Sequence, residues 1–394
     1  MDNYGDQSEL ALLKEQTWKK RYKEGTQYNL TPRTEIKKIK LADLLAHKAN
    51  KELLCRILAC RLIQQLDSDH RQYIIAYDQI VHSNITGWSG FTHSQVEGDT
   101  LVICLVRELS RLRSEQSVRI LSPDTDVLML SLYLTTTGCT SRIEFELLNS
   151  KARRTIQVST LAAHLGEMKI RALLSAYVVT GCDQIAKFST ISKDRAFKVL
   201  MSLDDDDVIN KLAELGEDFN FSMTSDLGKA VSTYIMLLYA KRQDDRAHVE
   251  KMADIGDLRW RLYSKQQKEP ENLPPTPSTL NRHVQRANYV LRLWKLSTVT
   301  LRPQLPPLKD HGWKIEEGRL GHIMTDELPA PEYCIEMAYC SCKATKCVKQ
   351  YCTCRRNNLQ CTDLCNCEDC ENCEDLATDV QFEDEGTSDE EEER

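Results

Sequence analysis

The chain has 394 residues, 41% of them apolar and 28% charged, which suits two or three domains with at least one sizeable core. Its first residues, MDNYGDQSEL, are polar and acidic, and no apolar run approaches the ~18 residues a membrane span needs, so secretion and membrane insertion are not expected. The net charge of -7 is unevenly placed: residues 374–394 hold 11 acids against one base, a local -10 that leaves +3 for the rest.

In chain order, residues 8–24 read as a charged helix. Residues 14–40 carry nine Lys or Arg against three Glu, an excess suited either to phosphates or to a solvated helix face. Residues 42–66 have the spacing of one or two amphipathic helices, and QYIIAY (72–77) that of a strand. A helix over 99–113, a buried strand SVRILS (117–122) and a helix over 126–134 follow. IEFELL and RTIQVS then alternate as a hairpin, with mostly helical sequence to about residue 265. Strands alternating with helices predict an α/β sheet. A Pro-rich break at 268–279 ends in a Ser or Thr cap for a helix over 278–297, whose Arg282, His283, Arg286, Arg292 and Lys295 read as part of an amphipathic, docked helix. RPQLPPLKDHGW (302–313) reads as a loose connection. The expected organisation is an α/β domain (1–205), a helical extension (206–300), a linker (301–333), a Cys-rich module (334–373) and a disordered acidic tail (374–394) that solubilises the chain or serves a protein partner.

Five of the 16 cysteines (Cys55, Cys60, Cys104, Cys139, Cys182) lie scattered in apolar surroundings, as reduced core thiols would. The other eleven fall between Cys334 and Cys373, which in a chain without a secretory signal points to metal rather than disulfides. Nine of them, Cys340, Cys342, Cys347, Cys352, Cys354, Cys361, Cys365, Cys367 and Cys370, follow the pattern C-x-C-x4-C-x4-C-x-C-x6-C-x3-C-x-C-x2-C. Three tetrahedral zinc ions have twelve ligand places, which nine thiolates fill if three sulfurs each bridge two ions. So small a segment with few apolar residues needs the metal as its core.

This pattern resembles the CXC domain of tesmin/TSO1-type proteins. The resemblance implies zinc, DNA as partner and a nuclear location, with a tyrosine directly before the fourth cysteine entering the minor groove. Here that residue is Tyr351, beside Lys349. Lys343, Lys346, Lys349, Arg355 and Arg356 lie in the first half of the module, and Asp363, Glu368, Asp369 and Glu371 in the second, so one basic face is expected despite the charge of the cluster. Family members that read DNA sequence often carry two such domains in tandem. This chain has one, which implies weaker affinity and specificity.

Six acids form a second candidate site: Asp2, Glu97 and Asp99 in EGDT, Asp124 and Asp126 in SPDTDVL, and Asp183 in TGCD. Each of the later ones also sits where an acid stabilises a helix N-terminus. Their order resembles the flap endonuclease (XPG-type) branch of PIN-like nucleases, in which matching carboxylates hold two Mg²⁺ or Mn²⁺. The EGDT, DTD, TGCD and LPPT strings are also similar to those of animal PIN-like proteins that end in a CXC domain. The resemblance implies a PIN-like parallel sheet flanked by helices. It places Asp124, Asp126 and Asp183 on one ion and Asp2, Glu97 and Asp99 on the other, with a metal-bound water attacking a phosphodiester. Two departures count against activity. The first strand of that family lies before the position of Asp2, and STISK (189–193) has Thr190 and Ser192 where glycines would let backbone approach phosphate. Lys193 and Arg195 are left as phosphate contacts or surface charge. The alternative is a chromatin-associated or mobile-element-derived DNA-binding protein that lost the reaction.

Overall fold

The structure is a computed structural model. It describes residues 9–10, 12–13, 26–35, 39–88, 90–113, 116–148, 153–203, 206–266, 270–326, 340–343, 345–348, 351–356, 359–361 and 365–373. Most of the charged segment 8–24, Asp2, Lys349 and the acidic tail therefore lie outside the described residues. Residues 1–326 and 327–394 form two compact units.

The first unit begins with helices α1 (Leu41–Ala46) and α2 (Lys48–Ser68), then a hairpin of β1 (Ile74–Tyr77) and β2 (Ile80–Ser83). Helix α3 (Gly98–Leu112) is covered on more than one side, burying Leu101, Ile103, Cys104 and Val106. Strand β3 (Ser117–Ser122), helix α4 (Thr125–Thr135) and strand β4 (Arg142–Leu148) make a βαβ unit, with β3 and β4 parallel from Ser117↔Arg142 to Ser122↔Leu147. Strand β5 (Arg153–Gln157) returns antiparallel on β4. The sheet is thus mixed, in the order β3-β4-β5, with one parallel pair. A wider parallel sheet of the PIN-like kind is not formed among the described residues. Because β3 is an edge strand, SVRILS is not the buried strand expected: Ile120 is covered but Leu121 is 54% exposed.

Helices follow: α5 (Val158–Leu165), α6 (Glu167–Val179), α7 (Lys193–Met201), α8 (Asp206–Glu214), α9 (Asp226–Tyr239), α10 (Gln243–Val249), α11 (Ile255–Gln266) and α12 (Pro277–Lys295). Their apolar faces join the sheet in one core that runs from Ile143 and Phe145 through Leu174 and Tyr234 to Leu291 and Trp313. Helix α12 starts where its sequence says it should. Thr276 Oγ1 accepts from Thr279 N at 3.3 Å, and Pro277 needs no partner in the first turn. Its polar residues are docked, and most are buried. Arg286 Nη1 donates to the carbonyls of Gly312 (2.9 Å) and Ile323 (2.7 Å), and His283 Nε2 donates to Val179 O at 2.7 Å. Burial holds His283 down to about 4, so it is neutral. Lys295 Nζ donates to Ala213 O and Glu217 Oε1 at 2.9 and 2.6 Å.

The connection 302–313 is more structured than its prolines suggest. It leads through a 3-10 turn at Leu308–His311 into a hairpin of β6 (Trp313–Glu316) and β7 (Arg319–His322). Glu317 and Gly318 turn this hairpin with φ of 51° and 73°, the two positive values a two-residue type I′ turn requires.

Gly216, at φ 77°, sits where an added Cβ would lie 2.7 Å from Leu291 Cγ. Its amide donates to Asn288 Oδ1 at 2.8 Å. Left-handed strain and the clash with α12 add, so Gly216→Ala is expected to destabilise the unit by about 2–3 kcal/mol, measured as a lowered denaturation midpoint at unchanged m-value.

Candidate metal centre and carboxylate cluster

In the second unit five thiols are buried: Cys340, Cys347, Cys352, Cys354 and Cys361, with Cys342, Cys365, Cys367 and Cys370 packed around them. The chain reverses on itself to do this. Asn366 N donates to Cys340 O (2.9 Å), Glu368 N to Cys342 O (3.1 Å) and Glu371 N to Lys346 O (2.9 Å), so the second half of the module lies against the first. A short helix, α13 (Thr353–Arg356), carries Cys354 inward.

The sulfurs are spaced for a shared cation. Cys340–Cys347 is 3.7 Å, Cys340–Cys361 3.6 Å, Cys352–Cys361 3.7 Å and Cys354–Cys365 3.4 Å. A disulfide is about 2.05 Å. The edge of a tetrahedron with Zn–S of about 2.3 Å is about 3.8 Å. Four overlapping sets of four sulfurs, each set within 4.8 Å, include all nine: Cys340, Cys342, Cys347, Cys352; Cys340, Cys352, Cys354, Cys361; Cys340, Cys361, Cys365, Cys367; and Cys347, Cys361, Cys367, Cys370. Cys340 and Cys361 each belong to three of these sets and Cys347 to two, and all three are buried. Burial raises the Cys347 and Cys361 thiols above the ordinary range and pushes Cys354 up to about 12, with neighbouring thiols adding to each shift. Burial opposes ionisation throughout, but the Arg355 amide and neighbouring thiols bring Cys352 down to about 6, and the Asn372 amide and neighbouring thiols lower Cys370, so the nest holds thiols of both tendencies. The donor set fits a soft, tetrahedral cation.

Asn372 is a supporting residue that the cysteine spacing does not reveal. Its Nδ2 donates to Leu359 O (3.0 Å) and Cys361 Sγ (3.3 Å), and its amide to Cys370 Sγ (3.3 Å). Arg355 donates to Asn372 Oδ1, Val348 O and Glu371 O, so its guanidinium braces the module. Lys343 lies 3.6 Å from Glu368 and Lys346 3.8 Å from Asp369. The basic first half and acidic second half therefore do not make two separate faces. Tyr351, 83% exposed directly before the fully buried Cys352, stands out from the module with exposed Arg356 nearby in sequence.

In the first unit, the loop between β3 and α4 and the turn after α6 bring acids together. Asp124 caps α4, its Oδ1 accepting from Asp126 N at 2.9 Å. Asp126 is 9% exposed and accepts from Tyr177 OH at 2.6 Å. Burial raises Asp126 to about 6, the Tyr177 bond opposes this, and the charges of Asp124 and Asp183 add to the rise. Gln184, next to Asp183, donates to Glu97 Oε1 at 2.5 Å. Asp126 thus lies within reach of the charges of Asp124 and Asp183, and Glu97 is joined to the same turn through Gln184. Asp99 lies in the first turn of α3, half-buried. The described metal-sized groups are nonetheless all made of cysteines.

A cation of the protein's own already stands there. Lys193 Nζ lies 3.8 Å over the Tyr177 ring, bonds to Thr180 Oγ1 and to the carbonyls of Tyr177 and Gly181, and is pushed down to about 8 by burial. Gly181 allows this close turn: at φ 117°, a Cβ would meet Lys187 at 3.0 Å. Lys193 is therefore neither surface charge nor a free phosphate contact. Arg195 is likewise engaged, its guanidinium donating to Leu237 O, Leu238 O and Ala240 O at the end of α9. Thr190 holds φ 61°, the left-handed value that suits glycine, and Ser192 caps α7 by accepting from Arg195 N. Of the five scattered thiols Cys104 is buried and Cys55, Cys139 and Cys182 are intermediate, whereas Cys60 is exposed rather than the core thiol expected; none of the five is in a disulfide.

Residues 337–374 match the family model of the Tesmin/TSO1-like CXC domain, cysteine-rich domain. No curated protein and no solved structure matches the chain. Among the described residues no helix is long and apolar enough to cross a membrane.

Proposed function

We propose that the chain is a nuclear DNA-binding protein whose C-terminal module is folded around three zinc ions. The observation that carries this reading is the crowding of nine sulfurs into overlapping fours, which three zinc ions would divide among themselves by sharing Cys340, Cys347 and Cys361. Cys342 and Cys352 complete the first ion's four, Cys367 and Cys370 the second's, and Cys354 and Cys365 the third's. Bound zinc supplies the charge that lets all nine remain thiolates. The resulting charge is -3, so DNA contact depends on the basic side chains and on what projects between them. Tyr351 is the exposed wedge and Arg356 the exposed cation near it for a flanking phosphate, while Lys349 lies outside the described residues. Lys343 and Lys346 stand beside acids and contribute less. Arg355 acts through the fold of the module.

The test is DNA affinity of the full chain against salt. Tyr351→Ala is expected to weaken binding about tenfold with zinc content unchanged, and Arg356→Ala to reduce the salt slope by about one. Unchanged affinity in both variants would contradict this interface.

A second reading concerns the first unit, and the charges of Asp124 and Asp183 within reach of Asp126, with Glu97 joined through Gln184, favour it: a PIN-like domain that holds Mg²⁺ or Mn²⁺ and hydrolyses structured DNA. Weighing against activity, Tyr177 OH donates to Asp126 and the nearby Lys193 ammonium offsets part of its charge. The inactive form of the same domain is the better supported one. Cleavage of flapped DNA in Mn²⁺, lost in Asp126→Ala, would restore the catalytic reading; no cleavage supports the inactive one.

A further inference from the structure

The end of the βαβ unit away from Asp124 is open. Between the first residues of β3 and β4, the C-terminus of α4, helix α5 and the start of α6 lies a cleft of about 990 Å³. Small-molecule sites are commonly ~300–1,000 Å³. Ten of its thirteen described lining residues are Gly, Ala, Ser, Thr or Cys, so no large side chain fills it. Ser117 and Arg142 open the two parallel strands as register partners. The six residues of β3, about 20 Å, separate them from the acids that follow that strand, so the cleft is distinct from the carboxylate cluster.

Its hydroxyls divide into acceptors and donors. Thr135 and Thr136 donate to Leu132 O (2.6 Å) and Tyr133 O (2.8 Å), which leaves their oxygens as acceptors at the C-terminus of α4. Ser159 Oγ accepts from Ile143 N at 2.9 Å and keeps its hydrogen to donate. Ser141, 5% exposed, holds an Oγ with no hydrogen-bond partner. Two lining side chains are charged. Arg142 makes no hydrogen bond or ion pair through its guanidinium among the described residues, because Glu144, two positions on, is bonded to Arg119 and Gln157. Glu167 accepts from Arg171 at 3.0 Å and is otherwise exposed.

One cation and one acid give a lining of zero net charge, which holds no polyanion. No aromatic ring lines the cleft among the described residues, so there is no surface on which a base would stack. A ligand that carries both signs fits. Its carboxylate meets Arg142, and its ammonium meets the Thr135 and Thr136 oxygens, where the end of α4 favours a cation. Ala162, Ala163 and Ile170 leave an apolar wall for a short aliphatic side chain. We propose that this cleft binds a small zwitterion, a free amino acid with an aliphatic side chain, held by Arg142, Thr135 and Thr136.

The experiment is titration of the zinc-loaded full chain with L-alanine and L-valine, read by calorimetry and by the melting temperature of the first unit. Both are expected to bind with Kd of about 1 mM and to raise the melting temperature. N-acetyl-alanine and alanine amide, each lacking one of the two charges, are expected to bind about tenfold more weakly or not at all. R142Q should weaken L-alanine about tenfold, and A163W, which fills the cleft from an exposed position, should abolish binding. Neither variant is expected to change the melting temperature without ligand. No binding of either amino acid at about 50 mM overturns the proposal, as does binding that A163W leaves intact. Glucose or inorganic phosphate bound as tightly as the amino acids overturns the ligand class. DNA takes no part in this binding, so its failure leaves the readings above untouched.

Discussion

Chelation of zinc from the full chain is expected to abolish DNA binding while most of the helical signal survives. The first unit has its own apolar core, from Leu130 and Phe145 to Leu291, and uses none of the nine clustered thiols. The module has no comparable apolar core: its buried cluster is Cys340, Cys347, Cys352, Cys354 and Cys361. Structural zinc supplies apparent binding free energies of ~10–16 kcal/mol, more than so small a segment could recover by other means. Single substitutions should divide by position. In the proposed division Cys361 bridges two ions, so Cys361→Ser should lower zinc content by about two ions per chain, whereas Cys342→Ser, which holds one, should lower it by about one. Equal losses in the two variants would contradict the sharing.

The second large effect is a gain. Asp126→Asn is expected to stabilise the first unit by roughly 3 kcal/mol at pH 8, the shift from 3.8 to about 6 converted at ~1.4 kcal/mol per unit. The sign follows from the direction of the shift. A carboxyl whose folded value is raised keeps its proton in the folded chain while the unfolded chain has lost it. The cost of ionising it therefore grows from about pH 4 to about pH 6 and stays constant above. Asparagine avoids that cost and can still accept from Tyr177 OH. Melting curves at pH 8 and pH 4 check this: the variant should be several degrees more stable at the first and indistinguishable at the second. Mn²⁺ gives a further arm. Stabilisation of the wild type alone by Mn²⁺ would place an ion among Asp124, Asp126 and Asp183; no metal effect supports Lys193 as the resident cation.

Much of this was legible in the residues. Periodicity located α3, α4 and β3 to within a residue or two, because those patterns are local. The same holds for the hairpin of β4 and β5, whereas the cap of α12 is Thr276 rather than the Ser or Thr at the end of 268–279. Sheet order was not local. Nothing within SVRILS says that β3 lies at an edge, which is why Leu121 stands exposed where a buried strand was expected. The β6 and β7 hairpin carried a signal in Glu317–Gly318 that prolines upstream obscured.

The sites divide in the same way. Cysteine spacing revealed which sulfurs cluster, since short loops constrain them to meet. It did not reveal that the second half of the module folds back to put Glu368 and Asp369 beside Lys343 and Lys346, nor that Asn372 bonds to Cys361. The places of Glu97 and Asp124 at helix starts and of Asp183 after α6 were legible, while a shared ion is a matter for the Mn²⁺ measurement. The destination of Lys193 was not legible, because it depends on how α7 packs beside Tyr177.

The most direct measurement is native mass spectrometry of the intact chain with parallel thiol counting. The account predicts three zinc ions per chain, with the nine clustered cysteines protected from alkylation until the metal is removed. One or two ions at saturation, or a zinc-free chain that binds DNA with the same affinity, would contradict it.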